Sequence, residues 1–264
     1  GIAEQDMVST AGGLALHGML PFVNSFASFL CARANEQIYN NATETTKIIY
    51  VNLYSGLIPA GPGKSHQSLR DIALMSSMPN MTVVHPGNEQ ETKAIVKWCA
   101  DIAKESCAIR LNIGPSPRIV KFEADWKLEF GKGTTLREGN DAILFAYGPV
   151  MLNEALKAAD ILLKQGFGLK VVDMPWLNRF DASWLEESVS GIPVICVLED
   201  HGTFGGLADH MLPVLVEESI FENRTFIKMG IDTIPACGTP AEVLAHHEVD
   251  GESVAKRILL GSNN

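Results

Sequence analysis

Apolar positions along the chain follow two alternating periods. Short continuous apolar runs predict buried strands, and apolar residues three or four apart predict helices. The first half gives a helix, a short strand and a helix, and then the strand KIIYVNLY and the loop SGLIPAGPGKSHQS, which is rich in Gly, Pro and Ser. A short helix, the strand MTVVHP, the helix ETKAIVKWCADIAK and the strand SCAIRL follow. Such alternation predicts a parallel sheet covered on both faces.

The alternation lapses between about Ile113 and Lys132 and then resumes. The second series has the strands DAILFAYG, GLKVVDMP, PVICVLED and TFIKMG, with helices between them and two closing helices. We therefore predict an α/β protein with two doubly wound, mostly parallel-sheet domains. The predicted domains cover residues 1–125 and 135–264.

Composition narrows the class of protein. Hydrophobic residues make up 46% of the 264 positions and charged residues 20%, which is ordinary for a soluble globular protein. The net charge of -10 disfavours nucleic acid and anionic membranes as partners. No apolar run reaches the roughly 18 residues of a membrane span. The five cysteines are widely spaced and form no C-x-x-C pair, so we expect reduced core thiols and a cytoplasmic protein.

Two segments are candidates for chemistry, because sites in this fold lie where loops and helix starts meet the carboxyl ends of the strands. Glu4 opens the first helix, and His66 lies in the loop after a buried strand. Phe26 and Phe29 lie three apart on one predicted helical face. Each residue also has an ordinary structural interpretation, as a helix-start carboxylate, a loop histidine or a core phenylalanine. None of these signals is specific alone.

Together, three motifs resemble a known family. The run GIAEQDMVSTAGGLALHGMLPFVNSFASFL resembles the pyrimidine-binding domain of transketolases and of 1-deoxyxylulose-5-phosphate synthase, where G-I/V-x-E-Q/H precedes an F-x-x-F helix. GPGKSHQS, followed by MPNMTVVHPGNEQE, resembles that domain's D-G-x-T-H-Q loop and next strand. LEDHGTFGGLADHMLPVL resembles the E-D/E-x-x-x-x-G-G-x-G segment of the family's C-terminal domain. The resemblance, which spans nearly the whole chain, is to the C-terminal subunit of a split transketolase.

The resemblance implies thiamine diphosphate as cofactor and assigns roles to four residues. Glu4 matches the glutamate that bonds to N1′ of the aminopyrimidine and drives its imino tautomer, and we expect burial to raise its pKa. Phe29, with Phe26 one turn earlier, would form the aromatic platform for the pyrimidine ring. His66 matches the loop histidine that hydrogen-bonds the substrate carbonyl or its alkoxide.

The diphosphate half of the family's site is missing from this sequence. The family binds the diphosphate and metal with a G-D-G motif and a later asparagine, and the one D-G pair here, Asp250 and Gly251, lies in the closing helices. We therefore predict no metal ligand in this chain and a partner subunit that holds the diphosphate with Mg²⁺ or Ca²⁺. An α2β2 assembly is the simplest closed arrangement. The chain opens on Gly1, so we also expect its first domain to lack the family's first strand and helix.

Two positions that bind substrate in the family differ here. Pro62 replaces the aspartate that opens the histidine loop, and Ile113 replaces the arginine that binds substrate phosphate. Either another cation binds the anion or the substrate is not the usual sugar phosphate. The candidate cations are Lys64, Arg110, Arg118 and Arg33, although an ion-paired helix arginine is the alternative interpretation of Arg33.

Three functions stay open at this point. The leading one is transfer of a two-carbon ketol unit from a ketose to an aldose. A decarboxylating synthase or dehydrogenase component acting on a 2-oxo acid is the nearest rival, and a non-catalytic scaffold is the third. We find no catalytic motif in the second domain, which in the family mainly stabilises the dimer. Its residues Asp200, His201, Gly205 and Gly206 have the pattern of a loop and helix start.

Overall fold

The first sheet is built from the consecutive apolar runs of the first half of the chain. The computed structural model describes residues 2–114, 117–118 and 120–262. The first unit contains α1 (Glu4–Leu16), β1 (Phe22–Phe26), α2 (Ala27–Arg33), α3 (Asn35–Thr43), β2 (Ile49–Leu53), α4 (Asp71–Ser76), β3 (Met81–Val84), α5 (Glu89–Asp101) and β4 (Ser106–Leu111). Its four strands pair in parallel in the order β1-β2-β4-β3. Helices cover the sheet, which explains why its central strands β2 and β4 are mostly buried.

The second sheet has five strands. Its unit contains β5 (Thr134–Arg137), β6 (Ala142–Ala146), α6 (Gly148–Leu163), β7 (Leu169–Asp173), α7 (Ala182–Val189), β8 (Val194–Gly202), α8 (Leu207–Glu217), β9 (Thr225–Ile231), α9 (Pro240–His246) and α10 (Gly251–Ser262). The order is β5-β7-β6-β8-β9, and β5 alone of these strands runs antiparallel to its neighbour. The predicted fold class is confirmed. The domain bounds 1–125 and 135–264 stay a prediction.

Three local details differ from the sequence prediction. The edge strand β5 was not predicted, because TTLR is short and half exposed and has no apolar run. Phe26 ends β1 in extended geometry and α2 begins at Ala27, so Phe26 is not in the helix that holds Phe29. Asp200 and His201 are buried residues of β8 rather than part of a loop.

Four cysteines confirm the expected buried thiols, but Cys237 is exposed. Across the residues that the structure describes, no helix is both long and apolar enough to cross a lipid bilayer.

The second domain's own crevice is filled by the first domain. Because β7 and β8 lie on opposite sides of β6, the carboxyl ends of β6 and β8 form the switch point where open α/β sheets usually bind ligands. The Arg110 side chain of β4 enters there and pairs with Asp200 of β8 at 3.2 Å. Its guanidinium carbon lies 5.3 Å from the ring centroid of Tyr147, the residue after β6. The crevice therefore serves as a joint between the domains.

Arg110 is surrounded by partners in this joint. It also pairs with Asp71 at 2.7 Å, and neither Arg110 nor Asp71 has a solvent-exposed side chain. Its Nη1 donates to Nδ1 of His85 at 3.0 Å. Burial and the positive charge of Arg110 hold the pKa of His85 well below its ordinary value, so this imidazole is neutral and accepts the bond. One cation thus links two carboxylates from different domains.

A second buried contact between the domains involves two carboxyl groups. Glu91 of α5 and Asp173 of β7 are both fully buried. Glu91 accepts a hydrogen bond from the Gly87 amide at 2.6 Å, and a Cβ on Gly87 would lie 2.4 Å from Asp173 Oδ2. Burial raises the pKa of Glu91 from 4.5 to about 7, and burial with the neighbouring Glu91 charge raises that of Asp173. The pair therefore holds a proton at acidic pH.

Replacing Asp173 by Asn should flatten the pH dependence of stability. An acid whose pKa is raised on folding stabilises the fold while protonated, and this contribution is lost as the pH rises from about 4.5 through about 7. The raised pKa of Glu91 alone should cost wild type about 3 kcal/mol of unfolding free energy over that window, and Asp173→Asn should remove the further loss that the raised pKa of Asp173 adds. Urea unfolding at pH 5 and 8.5 measures it, with Asp125→Asn, on an exposed residue, as control. Equal losses in wild type and Asp173→Asn would refute the assignment.

Candidate active site

Glu4 begins α1 and points away from solvent into the first domain. Its side chain is 7% exposed. The Arg33 Nη1 donates to both carboxylate oxygens at 3.1 Å, and Ser25 Oγ donates to Oε1 at 3.2 Å. Ser25 lies near the carboxyl end of β1 and Arg33 ends α2, so the strand and the following helix both contribute to this carboxylate site.

The pKa of Glu4 is lowered in the free chain, contrary to the raised value expected from burial. Burial alone would raise this pKa. Its effect is outweighed by several interactions that lower the pKa: a backbone hydrogen bond at Glu4, the hydrogen bond and charge of Arg33, and the hydrogen bond from Ser25. The prediction was wrong because the sequence did not pair Arg33 with Glu4. The carboxylate is ionised at neutral pH as long as Arg33 holds it.

Three aromatic rings and His66 form a half-buried face beside this carboxylate. The ring centroid of Phe26 lies 5.9 Å from that of Phe29 and 5.2 Å from that of Tyr54. The His66 ring lies 5.1 Å from Phe29, 5.9 Å from Phe26 and 6.2 Å from Tyr54. The structure therefore brings the predicted residues Phe26, Phe29 and His66 together, although they come from β1, α2 and the loop after β2.

Tyr54 was missed by the sequence analysis. It follows β2 directly, at the carboxyl end of a parallel strand, where site residues are expected. Its backbone is in the left-handed region, with φ of 60°, which is uncommon for a bulky residue and turns the chain into the His66 loop. The position after the strand was the available signal, but the run KIIYVNLY made Tyr54 look like one more core residue.

Arg33 lies between the carboxylate and the aromatic face. Its guanidinium carbon is 4.1 Å from the ring centroid of Phe29 while Nη1 holds Glu4. This is the ion-paired alternative, and it does not support Arg33 as a contact for a substrate anion. The guanidinium is a flat group with N–H donors, held by a carboxylate and packed on a phenyl ring. The same two side chains fit an aminopyrimidine, which is also flat and bonds a carboxylate through its ring nitrogen.

The other predicted cations lie apart from this cluster or at its edge. Arg110 is buried in the domain joint with two carboxylates, so the structure does not support it as a substrate contact. Arg118 pairs with Asp160 at 3.4 Å. Lys64 is exposed in the same loop as His66. Among residues 2–114, 117–118 and 120–262, no group of three or more His, Cys, Asp or Glu side chains could hold a metal ion.

Comparison with known proteins agrees with this two-domain α/β fold. Residues 1–114 match the transketolase pyrimidine-binding domain, and residues 131–254 match the transketolase C-terminal domain. A protein of Methanocaldococcus jannaschii named as a transketolase C-terminal section is 32% identical over 98% of this chain and 80% of its own length. One of the subunits of the apulose-4-phosphate transketolase of Phocaeicola vulgatus is 30% identical over 98% of this chain and 81% of its own length.

A solved structure extends the comparison to three dimensions. A split gene transketolase, described as an inactive beta4 tetramer, is 33% identical and superimposes with a TM-score of 0.87, covering 100% of this chain and 83% of that one. The chain belongs to the transketolase family and comprises its pyrimidine-binding and C-terminal domains. Transketolases and 1-deoxyxylulose-5-phosphate synthases depend on thiamine diphosphate.

Proposed function

We propose that this chain is the subunit of a split transketolase that holds the aminopyrimidine ring of thiamine diphosphate. A second subunit would bind the diphosphate with Mg²⁺ or Ca²⁺, and the enzyme would be active only when both are present. The observation that supports the proposal is the Glu4 carboxylate beside Phe29, which packs against Phe26. The guanidinium of Arg33, a flat group with N–H donors, already lies between Glu4 and Phe29.

Arg33 has to leave Glu4 when the pyrimidine ring arrives, because both need the same carboxylate oxygens. The Arg33 side chain is 46% exposed, so it can turn outward without leaving a buried charge. Once Arg33 has left, its hydrogen bond and its charge no longer lower the pKa of Glu4, whereas burial still raises it, which favours a proton shared between Glu4 and the ring nitrogen N1′. Thiamine diphosphate, when bound, supplies the carbanion chemistry for transfer of a two-carbon unit.

The remaining residues of the cluster would act on ring and substrate. Phe26 and Phe29, whose ring centroids lie 5.9 Å apart, would pack on the pyrimidine, because aromatic rings attract one another in offset or edge-to-face arrangements. His66 would donate a hydrogen bond to the substrate oxygen on which negative charge develops. Ser65 Oγ lies 3.0 Å from His66 Nδ1, which leaves Nε2 for that role.

We assign the reaction as transfer of a two-carbon ketol unit from a ketose to an aldose. The Phocaeicola vulgatus relative is named for a sugar phosphate, which supports a phosphorylated substrate here. Ile113 occupies the position of the family's phosphate-binding arginine, and Pro62 occupies that of the family's loop aspartate. Lys64, the exposed cation of the His66 loop, is our candidate for the anion contact.

The proposal predicts that neither subunit is active alone. The chain should be mixed with a candidate partner subunit that carries the G-D-G motif and a later asparagine, with thiamine diphosphate and Mg²⁺, and tested with hydroxypyruvate and with pyruvate as donors. We expect turnover of hydroxypyruvate by the pair, none by either subunit, and an α2β2 mass for the complex. Turnover of pyruvate instead would indicate a decarboxylating synthase. A complex that binds no thiamine diphosphate would leave only a scaffold role.

A further inference from the structure

The loop that carries His66, residues 54–68, packs on the second domain. Its apolar residues Leu57, Ile58 and Ala60 belong to the hydrophobic cluster that contains Leu144 and Leu198 of the second sheet. Leu57 is fully buried there. A segment that belongs to the first domain in sequence therefore forms part of the core of the second.

The base of this loop contacts a carboxylate of the second domain. Gly56 and Ser68 exchange two backbone hydrogen bonds of 3.0 Å, which close the loop. Gly56 has a φ of +82°, and a Cβ added there would lie 1.8 Å from Asp200 Oδ2. Glycine is therefore required at this position for both backbone conformation and space. The second domain thus contacts the loop where it begins.

Gln67, the residue after His66, ties the loop to the second domain by hydrogen bonds. It is 5% exposed. Its Nε2 donates to the carbonyl oxygen of Leu57 at 3.1 Å and to that of Ala236 at 2.9 Å. The Ala236 amide donates in turn to His247 Nε2 at 3.0 Å, which fixes the segment that accepts from Gln67. One side-chain amide therefore joins the start of the loop, its end and the second domain.

We propose that Gln67 is a positioning residue, which holds His66 against Phe26 and Phe29 by anchoring the loop to Ala236. Through this hydrogen bond the second domain fixes the position of His66. This role is separate from any role of the second domain in subunit assembly. The anchoring is a property of the free chain, whereas its effect on turnover rests on the proposed function. The two are tested separately.

The first test measures amide hydrogen exchange in the free chain. Gln67→Leu keeps a similar volume but removes both donors, and so leaves the carbonyls of Leu57 and Ala236 without this partner. The loop amides should then exchange roughly ten-fold faster or more. The matched control is Gln165→Leu, at an exposed position of the second domain, which should leave loop exchange unchanged. Loop exchange at the wild-type rate in Gln67→Leu would overturn the anchoring.

The second test is a double-mutant cycle in the reconstituted complex. Gln67→Leu should lower turnover on the order of 10- to 100-fold through misplacement of His66. Deuterium exchange at C2 of thiamine diphosphate, which needs Glu4 but not His66, should be unchanged. The double variant with His66→Ala should be no slower than His66→Ala alone. If the turnover losses of Gln67→Leu and His66→Ala multiply in the double variant, the positioning role is overturned. A wild-type complex without thiamine-dependent turnover would refute the proposed function, but the exchange result on the free chain would still test the anchoring.

Discussion

Replacing Glu4 by Gln should slow deuterium exchange at C2 of thiamine diphosphate by roughly 10²- to 10⁴-fold in the reconstituted complex. The amide has nearly the shape of the carboxyl group, but it cannot take up and release a proton at N1′. Proton NMR of acid-quenched samples measures the exchange directly. The matched control, Glu36→Gln at an exposed position of α3, should exchange at the wild-type rate.

The same Glu4→Gln variant should fold normally. The substitution frees Arg33, which is 46% exposed and can be solvated, so no buried charge is left without a partner. Its thermal unfolding should stay close to that of wild type. Wild-type C2 exchange in Glu4→Gln would contradict the assigned role, and loss of the fold would show that the Glu4–Arg33 pair is structural.

Replacing Arg110 by Met should have the largest effect on stability. The change leaves Asp71 and Asp200 buried without their counter-charge, in a joint that excludes solvent. Breaking a buried ion pair by removing one partner costs about 3–5 kcal/mol, and we expect a loss of that size in urea unfolding. Hydrogen exchange should also rise at the contact between β4 and β8, because the joint holds the two domains together.

An exposed ion pair provides the control for Arg110. Lys97 and Asp101 pair at 2.7 Å on α5 with 77% and 56% of their side chains exposed. Lys97→Met should cost less than about 1 kcal/mol, because solvent screens that pair. An Arg110→Met variant no less stable than Lys97→Met would show that the joint does not depend on this cation.

The buried strands could be predicted from sequence because their apolar runs are continuous. All five residues of β6 are buried, and its sequence AILFA shows this without any tertiary information. The strand β5 lacks that signal, since it is an edge strand that pairs on one side only. Phe26 was placed in a helix because FASFLCAR is continuous in helical pattern, although the chain changes from strand to helix after its first residue.

The site was predictable where a motif defines it and not where distant residues meet. Glu4, Phe29 and His66 stand in motifs with fixed spacing. The partners of Arg110 lie 39 and 90 residues away in sequence, so no local pattern connects them with it. The pairing of Arg33 with Glu4 spans 29 residues and reverses the expected direction of the Glu4 pKa. Long-range charge pairing was therefore the main information that the sequence pattern lacked.

A crystal structure of this chain with its diphosphate-binding partner and thiamine diphosphate tests the central claim most directly. We predict N1′ of the pyrimidine within hydrogen-bonding distance of a Glu4 oxygen, the ring packed on Phe29 and Phe26, and the Arg33 guanidinium turned away. A complex in which Arg33 still holds Glu4 while the pyrimidine binds elsewhere would contradict it.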